Sequence, residues 1–190
     1  LLERFLMLKT LFRKKKITES QLALSFVNTT IRSIEESFDD VIDAIKNDSE
    51  LSSTPFISQK DMDQFIFIVF AGNLKLLERY LPASEEISLN GLITEAITAA
   101  YDSDYNTIKD LLENYSSYIS RVNHPSKNVL YGMSKAIFFK YDLGKHQEDY
   151  FAQLNSPNPI FLKRIDNIME NYLWDWNNFF NKYKITNNLF

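Results

Sequence analysis

Apolar residues recur every three or four positions from Ile17 to Ile45, and this periodicity limits what the chain can fold into more than any other feature. Side chains at these spacings fall on one side of an α-helix, so the segment predicts a single long amphipathic helix from about Thr18 to about Lys46. The positions that flank these apolar residues lack the alternating charges by which a dimeric coiled coil selects its partner. We therefore expect the helix to pack against other helices of the same chain. Its predicted apolar side consists of Ile17, Leu24, Val27, Ile31, Ile34, Phe38, Val41 and Ile45.

Turn-forming residues are scarce in the rest of the sequence. Only 4 Gly and 5 Pro occur among 190 residues, against 15 Phe and 10 Tyr, which indicates a few long elements rather than many short ones. A chain of this length can also bury one sizeable core. The fold class is therefore predicted as all-α, a single domain over residues 1–190 that is either a multi-helix bundle or a short α-solenoid organised around the long helix. Two terminal segments are predicted to flank the domain body: an amphipathic, basic segment at residues 1–16 and a frayed tail at residues 185–190.

A second apolar segment, from Phe65 to Phe70, is long enough for either a buried strand or a buried helix. We predict a helix, because no other segment of the chain offers a strand to pair with it. Gly72 and Asn73 are expected to end this helix. The remaining long helices are predicted at about residues 88–102, 105–119 and 159–183, and from a Ser126 cap to about residue 141.

Charge is spread unevenly along the chain, although its net value is only −4. Residues 1–16 carry six basic side chains and one acidic one, whereas residues 17–63 carry three basic and ten acidic ones. No basic field extends over the whole chain, which excludes nucleic acid as its principal partner. The apolar and basic residues of segment 1–16 are compatible either with contact to an anionic membrane surface or with docking onto the long helix.

The sequence contains no cysteine, which excludes disulfides, thiolate metal sites and cysteine nucleophiles. It also lacks a phosphate-binding glycine loop, a dinucleotide fingerprint, a nucleophile elbow and the paired histidines of a metalloprotease. These absences favour a non-enzymatic protein without a cofactor. The cytoplasm is the expected location, because the apolar stretch at the start of the chain precedes its basic cluster, which is the reverse of the order in a secretory signal.

One loop, between residues 121 and 127, gathers the residue types that bind anions. Two cations, an imidazole, an amide and the first backbone N–H groups of the following helix could converge there on a phosphate or a carboxylate. The alternative is a hydrogen-bonded connection between two helices, because the loop has no glycine that would let a backbone approach a phosphate closely. The candidate ligand-binding residues are Arg121, Asn123, His124, Ser126 and Lys127.

The second histidine of the chain, His146, lies four residues after Asp142 and three before Asp149. On one continuous helix these side chains would form a row able to bind a divalent metal. Gly144 is expected to interrupt such a helix, and no second segment supplies further ligands. A solvated turn is therefore the preferred interpretation, and no metal is predicted.

The helix predicted at residues 159–183 suggests a protein interface. An apolar side runs along it, and Trp174 falls well outside that side on a regular helix. Tryptophan is enriched at the energetically dominant positions of interfaces, so Trp174 and the neighbouring Tyr172 are the candidate interface residues. Coverage of Trp174 by another segment of the same chain is the alternative.

The leading functional hypothesis is a cytoplasmic protein-protein interaction domain, an adaptor or a protein that neutralises its partner. It would use the surface near Trp174 or the acidic part of the long helix. The alternative function, from a different class, is a small-molecule or anion binder, or an enzyme, with its site in the loop at residues 121–127. The two functional hypotheses are distinguished by whether the polar side chains of that loop converge in a concave pocket.

Overall fold

Eight α-helices make up most of the chain between residues 14 and 186, the part that the computed structural model describes. The fold is therefore of the all-α, multi-helix class predicted from the sequence. No helix in this part of the chain is long and apolar enough to cross a membrane. The helices are α1 (Glu19–Lys46), α2 (Met62–Leu77), α3 (Ala83–Ala100), α4 (Tyr105–Asn123), α5 (Val129–Lys140), α6 (Asp149–Gln153), α7 (Pro159–Glu170) and α8 (Trp176–Lys182).

The long helix α1 begins where the sequence predicts. Thr18 and Gln21 form a capping box, in which the Thr18 side chain accepts from the Gln21 backbone N–H at 3.2 Å and the Gln21 side chain accepts from the Thr18 N–H at 3.1 Å. One predicted apolar position is wrong, because Leu24 is 52% exposed. A strict seven-residue repeat drifts around a straight helix, which carries Leu24 to the margin of the buried side.

Helix α2 occupies the centre of the fold and contacts α1, α4 and α5. The segment from Phe65 to Phe70 is a buried helix, as predicted, and not a strand. The predicted break at Gly72 and Asn73 is wrong, since α2 continues to Leu77. Gly72 instead allows close packing, because a Cβ atom at this position would overlap the side chain of Met133 on α5.

Helices α4 and α5 form an antiparallel pair that closes one side of the core, while α3 packs mainly against α1 and α7 packs against α5. Asn128 caps α5 by accepting from the Tyr131 backbone N–H at 3.3 Å, so the predicted Ser126 cap is wrong. The pair approaches closely at Gly132, where an added Cβ would lie 2.9 Å from the Ile119 side chain.

The single helix predicted at residues 159–183 is two helices. A turn after Glu170 separates α7 from α8, and the fully buried Asn73 satisfies the backbone groups that this break exposes. Its amide nitrogen donates to the Tyr172 carbonyl at 2.9 Å, and its side-chain oxygen accepts from the Trp174 N–H at 2.7 Å. The Asn73 carbonyl also accepts from the Trp176 indole N–H at 3.1 Å.

The break turns both tryptophans toward α1 and creates an aromatic joint between α1 and α8. Trp176 is 1% exposed and stacks on Phe180 with ring centroids 5.8 Å apart. Phe26 of α1 lies 5.2 Å from the Trp176 ring and 5.3 Å from the Trp174 ring, centroid to centroid. We define the aromatic joint as Phe26, Trp174, Trp176, Phe179 and Phe180.

Two short strands, which the sequence analysis did not predict, pair in parallel. Strand β1 (Lys15–Thr18) precedes α1, and strand β2 (Tyr183–Thr186) follows α8. The prediction of a frayed tail is therefore wrong for residues 185 and 186, which belong to β2. The remaining residues of that prediction, 187–190, lie outside the described residues. The predictions for the basic segment 1–16 also lie outside them, apart from residues 14–16.

Candidate functional site

The loop at residues 121–127 does not gather its polar side chains into a pocket. Asn123 is buried and donates to the Asn128 carbonyl at 2.8 Å, which makes it part of the turn itself. His124, Ser126 and Lys127 are exposed, and the Ser126 hydroxyl accepts from the Asn128 backbone N–H at 3.1 Å. The loop therefore has the internal hydrogen bonds of a helix connection, and Arg121 lines a cavity that the other four candidate residues do not line.

Arg121 belongs to a cluster that the sequence analysis did not find. Its guanidinium carbon lies 5.1 Å from the centroid of the Tyr118 ring, and the Lys140 ammonium lies 5.0 Å from the centroids of both Tyr118 and Tyr115. These distances are typical of cation–π contacts. We call Tyr115, Tyr118, Arg121 and Lys140 the cation–tyrosine cluster. The sequence indicates this cluster only weakly, because Lys140 belongs to the next helix and lies far from Arg121 along the chain.

The cation–tyrosine cluster lines an open cavity of ≈ 450 Å³ between α4 and α5. Tyr115 forms its buried wall and stacks on Phe67 of α2, with centroids 5.9 Å apart and ring planes 17° apart. Burial raises the pKa of Tyr118, and the positive charge of Arg121 opposes that rise. Burial also raises the pKa of Tyr115, so both phenols stay neutral at physiological pH.

The three weak metal candidates do not share a helix. Asp142 has a left-handed backbone conformation and forms an ion pair with Lys145, and a 3₁₀ turn follows at Leu143–His146. The His146 ring nitrogen Nδ1 lies 2.9 Å from the Ser53 hydroxyl, in a contact that ties two loops together. Asp149 is exposed at the start of α6. Within residues 14–186 no group of three potential ligands is arranged to hold a metal ion.

Both candidate interface residues contact α1, and both are half-buried. The Tyr172 hydroxyl forms a 2.7 Å hydrogen bond with the Ser37 hydroxyl, and Trp174 makes an edge-to-face contact with Phe26. Tyr172 also lines a groove of ≈ 370 Å³ between α1 and α7, together with Val41, Ala44 and Ile168. Trp174 belongs to the aromatic joint and is covered in part by this chain.

The side of α1 opposite its buried stripe is strongly acidic. Five exposed carboxylates occur there with no basic residue between them, and Asp40 also lines the groove that contains Tyr172. Among residues 14–186, no ion pair within 4 Å includes any of the five. We call this surface the acidic face. It consists of Glu35, Glu36, Asp39, Asp40 and Asp43.

An exposed aromatic residue, Phe56, lies on a loop that borders the acidic face. Its side chain is fully exposed, whereas the residues on either side, Pro55 and Ile57, are buried and hold the backbone in place. Three residues later, the Gln59 amide donates to the Asp39 carboxylate at 2.6 Å. Sequence reasoning missed Phe56, although its place between two apolar neighbours was the available signal for an extended segment with one side outward.

Comparisons with protein-family models, with curated proteins and with solved structures found no match to this chain.

Proposed function

We propose that this chain is a non-enzymatic protein-interaction domain that binds a basic segment of a partner protein through the acidic face of α1. The observation that carries the proposal is the group of five exposed carboxylates without an ion-pair partner among residues 14–186. Uncompensated like charges repel one another and are relieved when a cationic partner approaches. The expected partner segment is therefore rich in lysine or arginine.

Accessible apolar surfaces lie on both sides of the acidic face, and they support binding to a protein rather than to a simple cation. On one side lies the groove lined by Val41, Ala44, Ile168 and Tyr172. On the other side lies the loop that carries Phe56. Interfaces combine aromatic anchors with surrounding charges that set orientation and association rate, so a basic amphipathic segment matches this surface.

Trp174 has a secondary role in the proposal. Its partly accessible ring lies next to Phe26, nearer the start of α1 than the acidic face. Since Trp174 also packs in the aromatic joint, its removal affects folding and binding together. The acidic face and Tyr172 are therefore the better targets for mutation. We expect the binding to occur in the cytoplasm, since a chain without cysteine does not require an oxidising compartment.

The test is a titration with a defined probe, a synthetic helical peptide in which lysine and leucine occupy opposite sides. Isothermal titration calorimetry compares the wild type with the variant Asp39→Asn, Asp40→Asn, Asp43→Asn. We expect the variant to bind at least roughly tenfold more weakly, because loss of charged contacts across an interface weakens binding by this order. Binding by the wild type should also weaken as salt is added.

The control carries the same change in net charge elsewhere, as Glu95→Gln, Asp110→Asn, Glu148→Gln on exposed positions outside α1. This control should bind the peptide like the wild type. If both triple variants lose affinity equally, the peptide responds to net charge alone and the acidic face is not a specific site. A second arm replaces Phe56 by alanine, and unchanged affinity would remove Phe56 from the proposed surface.

A further inference from the structure

We propose that the cation–tyrosine cluster is a binding site for a small phosphate monoester. The site lies on α4 and α5 rather than on α1, so it is independent of the proposed interaction with a basic partner. Its four defining residues come from two helices, with Arg121 at the last turn of α4 and Lys140 at the last residue of α5. The tertiary fold is therefore needed to bring the two cations together.

The two cations are held in place by aromatic rings rather than by carboxylates. Tyr118 lies within 5.1 Å of the Arg121 guanidinium carbon and 5.0 Å of the Lys140 ammonium. Ring contacts of this kind restrict a long side chain but leave its N–H groups free for an anion. Neither Arg121 nor Lys140 forms an ion pair with a carboxylate among the described residues. Binding thus requires little further ordering of either side chain.

The remaining lining of the cavity favours an anion with several acceptor oxygens. It contains no acidic residue, although the whole chain carries a net charge of −4. The Ser117 hydroxyl and the Asn114 amide line the cavity beside the two cations and can donate further hydrogen bonds. A phosphate monoester carries nearly two negative charges and three terminal oxygens, which match two cations and two neutral donors better than a single carboxylate does.

The size of the cavity indicates an organic ester rather than a bare phosphate ion. Its volume of ≈ 450 Å³ lies within the range of sites that hold small organic molecules. Leu111 and the ring of Tyr118 supply apolar surface next to the cations. The phosphate group is therefore assigned to Arg121 and Lys140, and the organic group to the part of the cavity near Leu111.

The test is calorimetric titration of the whole chain with phenyl phosphate at constant ionic strength. We expect saturable binding by the wild type, and a roughly tenfold or greater loss of affinity in each of Arg121→Gln and Lys140→Gln, since each removes hydrogen bonds to a charged group. Tyr118→Leu should also weaken binding without any change in net charge, because Arg121 loses its ring contact and Lys140 keeps only its contact with Tyr115. Far-UV circular dichroism and melting temperature establish that each variant is folded.

Matched controls and two further probes make the result decisive. Lys127→Gln and Lys163→Gln remove exposed cations outside the cavity and should leave the affinity unchanged. If they weaken binding as much as Arg121→Gln does, the attraction is unspecific and the site is refuted. Equal affinity for inorganic phosphate would overturn the assignment of an organic ester, and equal affinity for benzoate would overturn the assignment of a phosphate. Absence of saturation by ~10 mM phenyl phosphate would overturn the proposal altogether.

Discussion

The two aromatic clusters of this protein differ in what surrounds their rings. In the aromatic joint, Trp176 is 1% exposed and stacks on Phe180, so rings contact rings and exclude water. In the cation–tyrosine cluster, the ring of Tyr118 lies beside the exposed side chains of Arg121 and Lys140. The rings of the aromatic joint therefore stabilise the fold, whereas the ring of Tyr118 positions two cations at the surface.

The polar groups of the two clusters explain this difference. Asn73 is buried beside the joint, where its amide nitrogen donates to the Tyr172 carbonyl and its side-chain oxygen accepts from the Trp174 N–H, so these polar groups are paired within the chain. Arg121 and Lys140 have no carboxylate partner among residues 14–186. A cluster with satisfied polar groups stabilises the fold, whereas one with unpaired charge is available to a ligand.

The largest effect is expected from Trp176→Ala. Removing this buried ring leaves a cavity between α1 and α8, so the free energy of unfolding should fall by about 3–5 kcal/mol. Urea unfolding followed by circular dichroism measures the change. Trp176→Phe keeps a ring in the joint and should cost clearly less, and a similarly small loss in both variants would contradict the description of the joint as closed.

The next effect in size is expected from Asn73→Leu. The substitution keeps the shape of the side chain but leaves the Tyr172 carbonyl and the Trp174 N–H without their partner, at about 1–3 kcal/mol for each group. We expect a total loss of about 3 kcal/mol in the free energy of unfolding, measured in urea. Asn114→Leu, on the exposed side of α4, is the matched control and should change stability by less than about 0.5 kcal/mol.

Trp174→Ala should have an intermediate effect. The ring is half-buried and makes an edge-to-face contact with Phe26, and loss of that contact and of the buried area should lower the free energy of unfolding by about 1–2 kcal/mol. Thermal and urea unfolding both report the change. An unchanged stability would mean that Trp174 lies outside the joint, and its role would then be confined to an interface.

The smallest effect on stability is expected from Tyr118→Leu. An exposed cation–π contact contributes about 0.5–1 kcal/mol, and Lys140 keeps its contact with Tyr115, so stability should fall by about 1 kcal/mol or less. A loss of about 3 kcal/mol, as large as that of Asn73→Leu, would show that the cation–tyrosine cluster is a structural core. The distinction between the two aromatic clusters would then no longer hold.

Local periodicity explains which parts of the fold could be predicted. Helices α1 and α2 follow from patterns within a few turns, and the start of α1 at about Thr18 was predicted, although its capping box with Gln21 was not. The break between α7 and α8 could not be predicted in this way. Its hydrogen bonds come from Asn73, which lies about 100 residues earlier in the sequence, so the pattern after Pro159 was extended through the turn.

The candidate sites show the same limit. The acidic face was visible as a run of carboxylates on one helix, and this part of the prediction needed no tertiary contact. The cation–tyrosine cluster combines α4 with the end of α5, so the sequence supplied Arg121 but not Lys140. The prediction that Arg121 acts together with His124 relied on nearness in sequence, and the exposed His124 does not line the cavity.

The pairing of β1 with β2 has a consequence for the order of folding. The Thr186 hydroxyl donates to the Ile17 carbonyl across a sequence separation of 169 residues, so the sheet closes nearly all of the described chain into a ring. Closing so long a loop gains only a few backbone hydrogen bonds, and the helices between the strands must first bring them together. The strand amides should therefore acquire protection from hydrogen exchange last during refolding, and lose it first in the native protein.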